Sequence, residues 1–204
     1  MTHLSGRIEA KPNGRLFEPL WQIQQLLACI MQAGISLHMP GERPAVGDFL
    51  ALSKQFKKSA IMQLEGVVAL SFRDQMPLST WIDFQEVPGF TFEHEHSFGR
   101  LENLAISIVF VSFYQKYNDW LHDNVSKSSS DWPEALQFAR LVRNAMAHDG
   151  CINIPKGRAV GAKWHHLVYG KADHGTRIVG PVLASGDLLI LLVEASQELD
   201  RLKA

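Results

Sequence analysis

Between residues 100 and 124 the chain carries apolar side chains at helical spacing on two stripes at once. Leu101, Leu104, Ile108, Val111 and Tyr114 form one stripe, and Phe110, Phe113, Tyr117 and Trp120 the other. A helix apolar on two sides needs neighbours on both, so this segment predicts the central helix of a multi-helix core. It also predicts more apolar surface than one small core covers, and hence a homodimer. Its near-continuous apolar stretch, Leu104 to Phe113, is broken by Ser107 and Ser112. At about half the length a bilayer demands, it excludes a transmembrane span, and no membrane partner is expected. With 204 residues, 46% hydrophobic and 20% charged, the composition excludes a disordered chain and fits one domain over residues 1–204. The two cysteines, Cys29 and Cys151, exclude a disulfide framework and a CxxC metal knuckle. Cys29 lies among Leu26, Leu27 and Ile30, which predicts an inert core thiol. Residues 1–14 are polar and lack the apolar run of a signal peptide, so a flexible N-terminus and a cytoplasmic setting are expected.

Helical spacing predicts further helices over residues 16–33 and 46–73. In the second, Phe49, Leu52, Phe56, Ala60, Leu64 and Val67 share a stripe, and Lys54, Lys57 and Lys58 are expected in solvent. Residues 78–99 read as a packed loop with a short strand at 90–94. A fourth helix opens at Asp131-Trp132-Pro133-Glu134, a capping-box pattern, and stops at Asp149-Gly150. Short β-leaning pieces follow at 151–154, 163–169 and 176–182, with Gly170 and Gly175 bracketing a hairpin-like turn. Ser185-Gly186-Asp187 then caps a last helix whose first half, residues 188–193, is apolar all round and expected to be buried. The expected fold class is mainly α: about five helices with a small β-hairpin inserted before the last.

The stretch with chemical content is Arg143-Asn144-Ala145-Met146-Ala147-His148-Asp149-Gly150. On a continuous helix Asn144 and His148 are four apart and share a face, so the amide can orient the imidazole. Arg143 lies about 140° around the axis from His148, within reach of the same mouth for a long side chain. The negative end of the helix favours the protonated imidazole. A titratable imidazole, an obligate cation and an orienting amide suit phosphodiester chemistry, the imidazole moving a proton and the guanidinium binding developing charge. The same residues also suit a plain structural role, with Arg143 paired to an acid and His148 capping a helix.

Arg-Asn-Ala-Met-Ala-His resembles the Arg-x4-6-His signature of HEPN domains in its Arg-Asn-x-x-x-His form, including its place late in a helix and before a turn. The resemblance implies a HEPN-like helical bundle and a homodimer whose two motifs meet in one cleft, forming a composite active site. It further implies metal-independent endoribonuclease activity in a defence, toxin–antitoxin or RNA-processing role, with an antitoxin or regulatory protein as a partner. No cofactor is implied. Arg143, Asn144 and His148 would be the catalytic residues, and cleavage would leave a 2′,3′-cyclic phosphate. One HEPN toxin branch has a tyrosine two residues after the histidine; Gly150 stands there, so that branch and its tyrosine modification do not carry over. The alternative is a non-catalytic dimer of the same type that binds RNA, a nucleotide or a partner protein.

Charge distribution adds a second argument. From Arg140 to Arg177 seven basic residues face two acidic ones, a local +5 in a chain of net charge −1, together with four histidines. Such a segment can attract RNA without a basic isoelectric point. Arg140, Lys156, Arg158, Lys163 and His166 are the candidate substrate-binding residues. Phe92-Glu93-His94-Glu95-His96 would place His94 and His96 on one face of a strand, where two imidazoles can share a metal. Spacing fixes no third ligand, and a polar turn is the favoured reading of the segment. No GxSxG elbow, GxGxxG turn or phosphate-binding P-loop is present.

Overall fold

The computed structural model describes residues 4–38, 48–64, 67–72, 75–87, 97–154 and 161–203. Along the chain run β1 (Gly6–Ala10), α1 (Phe17–His38), β2 (Phe49–Leu52), β3 (Lys58–Met62), α2 (Val67–Phe72) and β4 (Thr80–Glu86). There follow α3 (Ser97–Asn124), α4 (Glu134–Met146), β5 (Ala162–Trp164), β6 (Leu167–Tyr169) and α5 (Ser185–Leu202). Four strands form an antiparallel sheet in the order β1-β4-β3-β2, and β5 and β6 form a separate hairpin. The fold is therefore mixed α/β, and the expected mainly α, HEPN-like bundle is overturned by that four-stranded sheet.

The largest error lies at residues 46–73. Residues 49–62 form the β2–β3 hairpin, and only Val67–Phe72 is helical. The strands escape a period-two reading because β3 is central in the sheet and four of its five residues are buried. The intervening Ser53 to Lys57 makes a tight turn in place of a helix. Ser53 Oγ accepts from the backbone N–H of Phe56 at 3.0 Å, and Lys57 takes a left-handed conformation with φ 52°. Lys58 is buried, not solvated, and its ammonium donates to the carbonyl of Leu4. Residues 80–86, expected as loop, alternate buried Thr80, Ile82 and Phe84 with more exposed neighbours, the signature of a strand covered on one face. The N-terminus is not a free tail: Gly6 to Ala10 pairs with β4.

Helices α3, α4 and α5 pack on one another, α1 packs on α3, and α1 and α5 cover the sheet. The first half of α5, Leu188 to Val193, is fully buried as its sequence predicts. Cys29, by contrast, is exposed. Pro133 rather than Asp131 precedes the first residue of α4, and Asp131 accepts from the hydroxyls of Ser126 and Ser130 instead.

Sheet and helices are joined at the start of α5. Asp187 is wholly buried and accepts four hydrogen bonds. The donors are the Ser53 hydroxyl, the N–H groups of Lys54 and Gln55 at 3.0 and 3.1 Å, and that of Ala184 at 2.8 Å. Beside it, a Cβ on Gly186 would lie 2.5 Å from the backbone of Leu52 and Ser53. Only glycine allows this approach. Burial pushes the Asp187 carboxyl up from its usual range, and the four donors pull it back. Removing the carboxylate orphans three donors in the β2–β3 turn. Asp187→Ala should therefore lower the unfolding free energy by at least about 3 kcal/mol in urea titration. The exposed Asp131→Ala should cost less than about 1 kcal/mol.

Glu102 on α3 supplies a pH dependence. Burial raises its pKa to about 7, while a hydrogen bond from Ser185 lowers it in part. A folded pKa above the unfolded value means that its contribution is complete below about 4.5 and is lost as pH rises through about 7. Between pH 5 and 8, thermal denaturation should show wild type losing stability relative to Glu102→Gln.

Candidate functional site

Helix α4 ends at Met146, two residues short of His148, so the imidazole sits in the turn beyond the helix. Two left-handed residues make that turn, Asp149 with φ 54° and Gly150 with φ 78°. The N–H groups of His148 and Gly150 both donate to the carbonyl of Ala145, at 2.9 and 2.8 Å. The Gly150 carbonyl in turn accepts from Ile178 and Val179 at 2.9 and 3.2 Å. A Cβ at Gly150 would meet the Val179 carbonyl oxygen at 3.0 Å. Glycine is thus required twice, by its φ and by the close passage of residues 177–179.

Because the helix stops early, the expected bond from Asn144 to His148 is replaced. Asn144 Oδ1 accepts from Arg143 Nη1 at 3.2 Å, and Arg143 Nη2 donates to Gln115 Oε1 on α3 at 2.9 Å. The exposed His148 is held through Nε2 by the side-chain amide of Asn153. An amide nitrogen only donates, so in this arrangement Nε2 accepts and the ring is the neutral Nδ1–H tautomer. Turning the amide over would present Oδ1 and hold the imidazolium instead. Asn153 therefore serves both protonation states. Among the described residues no hydrogen bond or ion pair joins Arg143 to His148.

Arg143 is half-buried between α3 and α4, and its Nε finds no hydrogen-bond partner among the described residues; nor does the buried hydroxyl of Tyr114. Burial drives the Tyr114 pKa upward, against the pull of Arg140 and Arg143 beside it. Arg140 thus belongs to the same cationic neighbourhood as Arg143. The remaining candidates lie apart. Lys163 pairs with Glu134 at 3.6 Å, and His166 meets Gln55 Oε1 at 2.9 Å. His165 and the Trp164 indole both bond to Glu194, at 2.9 and 2.6 Å. His165 and His166 form the turn of the β5–β6 hairpin, and the turn expected between Gly170 and Gly175 forms as a short 3-10 segment, Lys171–Asp173, outside that hairpin. Lys156, Arg158, His94 and His96 lie outside the described residues. Among the described residues no three His, Cys, Asp or Glu side chains gather as a metal site.

Gln115 and Asn153 are the partners the sequence did not disclose. Gln115 is 28 residues before Arg143, and only the antiparallel packing of α3 on α4 brings them together. Asn153 follows the left-handed turn, whose course a helical reading of the motif cannot supply.

No protein-family model, no curated protein and no solved structure matches this chain. Among the described residues no helix is long and apolar enough to cross a membrane.

The turn at Gly150 sets where His148 stands. Gly150→Ala should cost about 1–3 kcal/mol, the usual strain of a non-glycine residue in a left-handed position, increased by the Val179 contact. Thermal denaturation would read the loss, and the histidine Nε2 signal in nitrogen NMR should report a changed Asn153 contact.

Proposed function

We propose that the chain is a metal-independent endoribonuclease of HEPN type, acting as a homodimer with a composite site. The observation that carries this reading is an exposed imidazole, His148, held by an amide that suits both its protonation states, in a motif that also supplies the half-buried guanidinium of Arg143. Proton transfer needs such an imidazole, and a phosphorane needs such a cation.

Support for a second copy comes from α3. Leu101, Leu104 and Ile108 are 47%, 56% and 56% exposed. At 100° per residue they share a face with Gln115, the residue that holds Arg143. A second copy docked on this stripe would bury it and bring two Arg143 side chains toward one cleft. That geometry also accounts for why Arg143 and His148 of one chain have separate partners: each would act with its counterpart across the interface.

In the proposed reaction His148 takes the proton from the 2′-hydroxyl of RNA. The O2′ attacks phosphorus, the bond from phosphorus to O5′ breaks, and the proton taken up by His148 is returned to O5′. The products are a 2′,3′-cyclic phosphate and a 5′-hydroxyl. Arg143 stabilises the pentavalent phosphate, Asn144 holds the guanidinium in place through its Oδ1, and Asn153 orients the imidazole. Arg140, Lys156, Arg158 and Lys163 supply cationic attraction to the strand, and His166 a hydrogen-bonding contact.

The second reading, a non-catalytic dimer that binds RNA, is favoured by the separate hydrogen-bond partners of Arg143 and His148, which share no hydrogen bond among the described residues. A cleavage assay separates the two. Chelators should leave the rate unchanged, and a 2′-deoxy substitution at the cut site should block it. His148→Ala should lower the rate about 10²–10⁴-fold while the protein stays folded. Cleavage that EDTA abolishes and a divalent ion restores would contradict the mechanism, and absence of cleavage by purified dimer would favour the binding reading.

A further inference from the structure

A cavity of about 740 Å³ opens between α3, the end of α4 and the loop through residues 177–181. It begins one residue beyond His148, yet neither His148 nor Arg143 lines it. Its wall is apolar on one side, from Leu104, Met146, Val179 and Pro181, and cationic at two points, Lys54 and Arg177. The Lys54 ammonium is anchored at the rim by the carbonyls of Gly180 and Pro181, at 2.8 and 3.3 Å. Arg177 meets Asp149 only at 3.8 Å, with both side chains largely exposed, so that ion pair is weak. Asn103 also lines the cavity, and its buried Oδ1 has no hydrogen-bond partner among the described residues. A buried acceptor without a donor is costly, and a ligand N–H or O–H would satisfy it.

We propose that this cavity binds a small organic anion: an apolar, preferably aromatic body against Leu104 and Met146, an N–H or O–H toward Asn103, and a carboxylate, sulfonate or phosphate head on Arg177. The volume is that of small-molecule sites, which are mostly apolar with a few converging polar groups. The position of Lys54 is built into the fold, since the Asp187 bonds that fix the β2–β3 turn set its backbone. On α3, Asn103 and Ser107 occupy the flank of the exposed apolar stripe, with Leu104 common to both. The inference is independent of the nuclease reading, because Arg143 and His148 take no part in it.

The probe is 8-anilinonaphthalene-1-sulfonate, whose anilino N–H and sulfonate match Asn103 and Arg177. Its neutral control is N-phenyl-1-naphthylamine, which differs by the sulfonate. Fluorescence titration should give one sulfonate dye per chain, bound at least about 10-fold tighter than the neutral dye, the worth of one charge-assisted contact. Arg177→Gln should reduce that ratio to within about 3-fold, and Ser107→Trp, which fills the cavity, should abolish both bindings with an unchanged circular dichroism spectrum. His148→Ala should bind the dye as wild type does, whatever the outcome of the RNA assay. Equal affinity for the two dyes, a ratio that survives Arg177→Gln, or binding that survives Ser107→Trp would overturn the proposal.

Discussion

The buried carboxylate of Asp187 is the point on which the architecture turns. It lies at the start of the most buried helix and binds the turn of a hairpin more than 130 residues earlier. Those bonds add a directional tie between the β2–β3 turn and α5 to the apolar packing of α1 and α5 on the sheet. The pairing is close because Gly186 lets the strand backbone pass at a distance no side chain tolerates. The four donors offset part of the desolvation that burial imposes on the carboxyl group. The same clasp carries Lys54 to the rim of the cavity beside the end of α4.

What the sequence discloses and what it hides divide along physical lines. The helices α1, α3 and α5 follow from local periodicity, because each buries an apolar face at the 3.6-residue repeat, while the Leu101, Leu104 and Ile108 stripe of α3 stays exposed. The sheet does not. Phe49, Leu52, Phe56 and Ala60 satisfy a helical stripe by coincidence, and β3, buried on both faces, offers no alternation to contradict it. What decides between them is tertiary: the Ser53 turn is stable because Asp187 binds it, and no window of sequence contains both. Thr80, Ile82 and Phe84 did carry an alternating signal, obscured by apolar Trp81 between them.

The motif shows the same division at smaller scale. Its residue types are legible and its geometry is not. A helix drawn through His148 pairs it with Asn144; the helix that forms ends at Met146, and Gly150 turns the chain so that Asn153 takes the imidazole. Arg143 is drawn to α3 by Gln115. The guanidinium and the imidazole remain the groups suited to phosphodiester chemistry, now with different supports. The uncovered stripe of Leu101, Leu104 and Ile108 beside Gln115 supplies the reason for seeking their working partners in another copy of the chain.

That account turns on whether the two groups act across an interface. Mixing Arg143→Ala and His148→Ala protein, after each is unfolded and refolded together with the other, allows mixed dimers with one intact Arg143 and one intact His148 on opposite chains. The account predicts that the mixture cleaves RNA well above the level of either parent, with 2′,3′-cyclic phosphate ends. A mixture no more active than its parents, beside an active wild type treated in the same way, would contradict it.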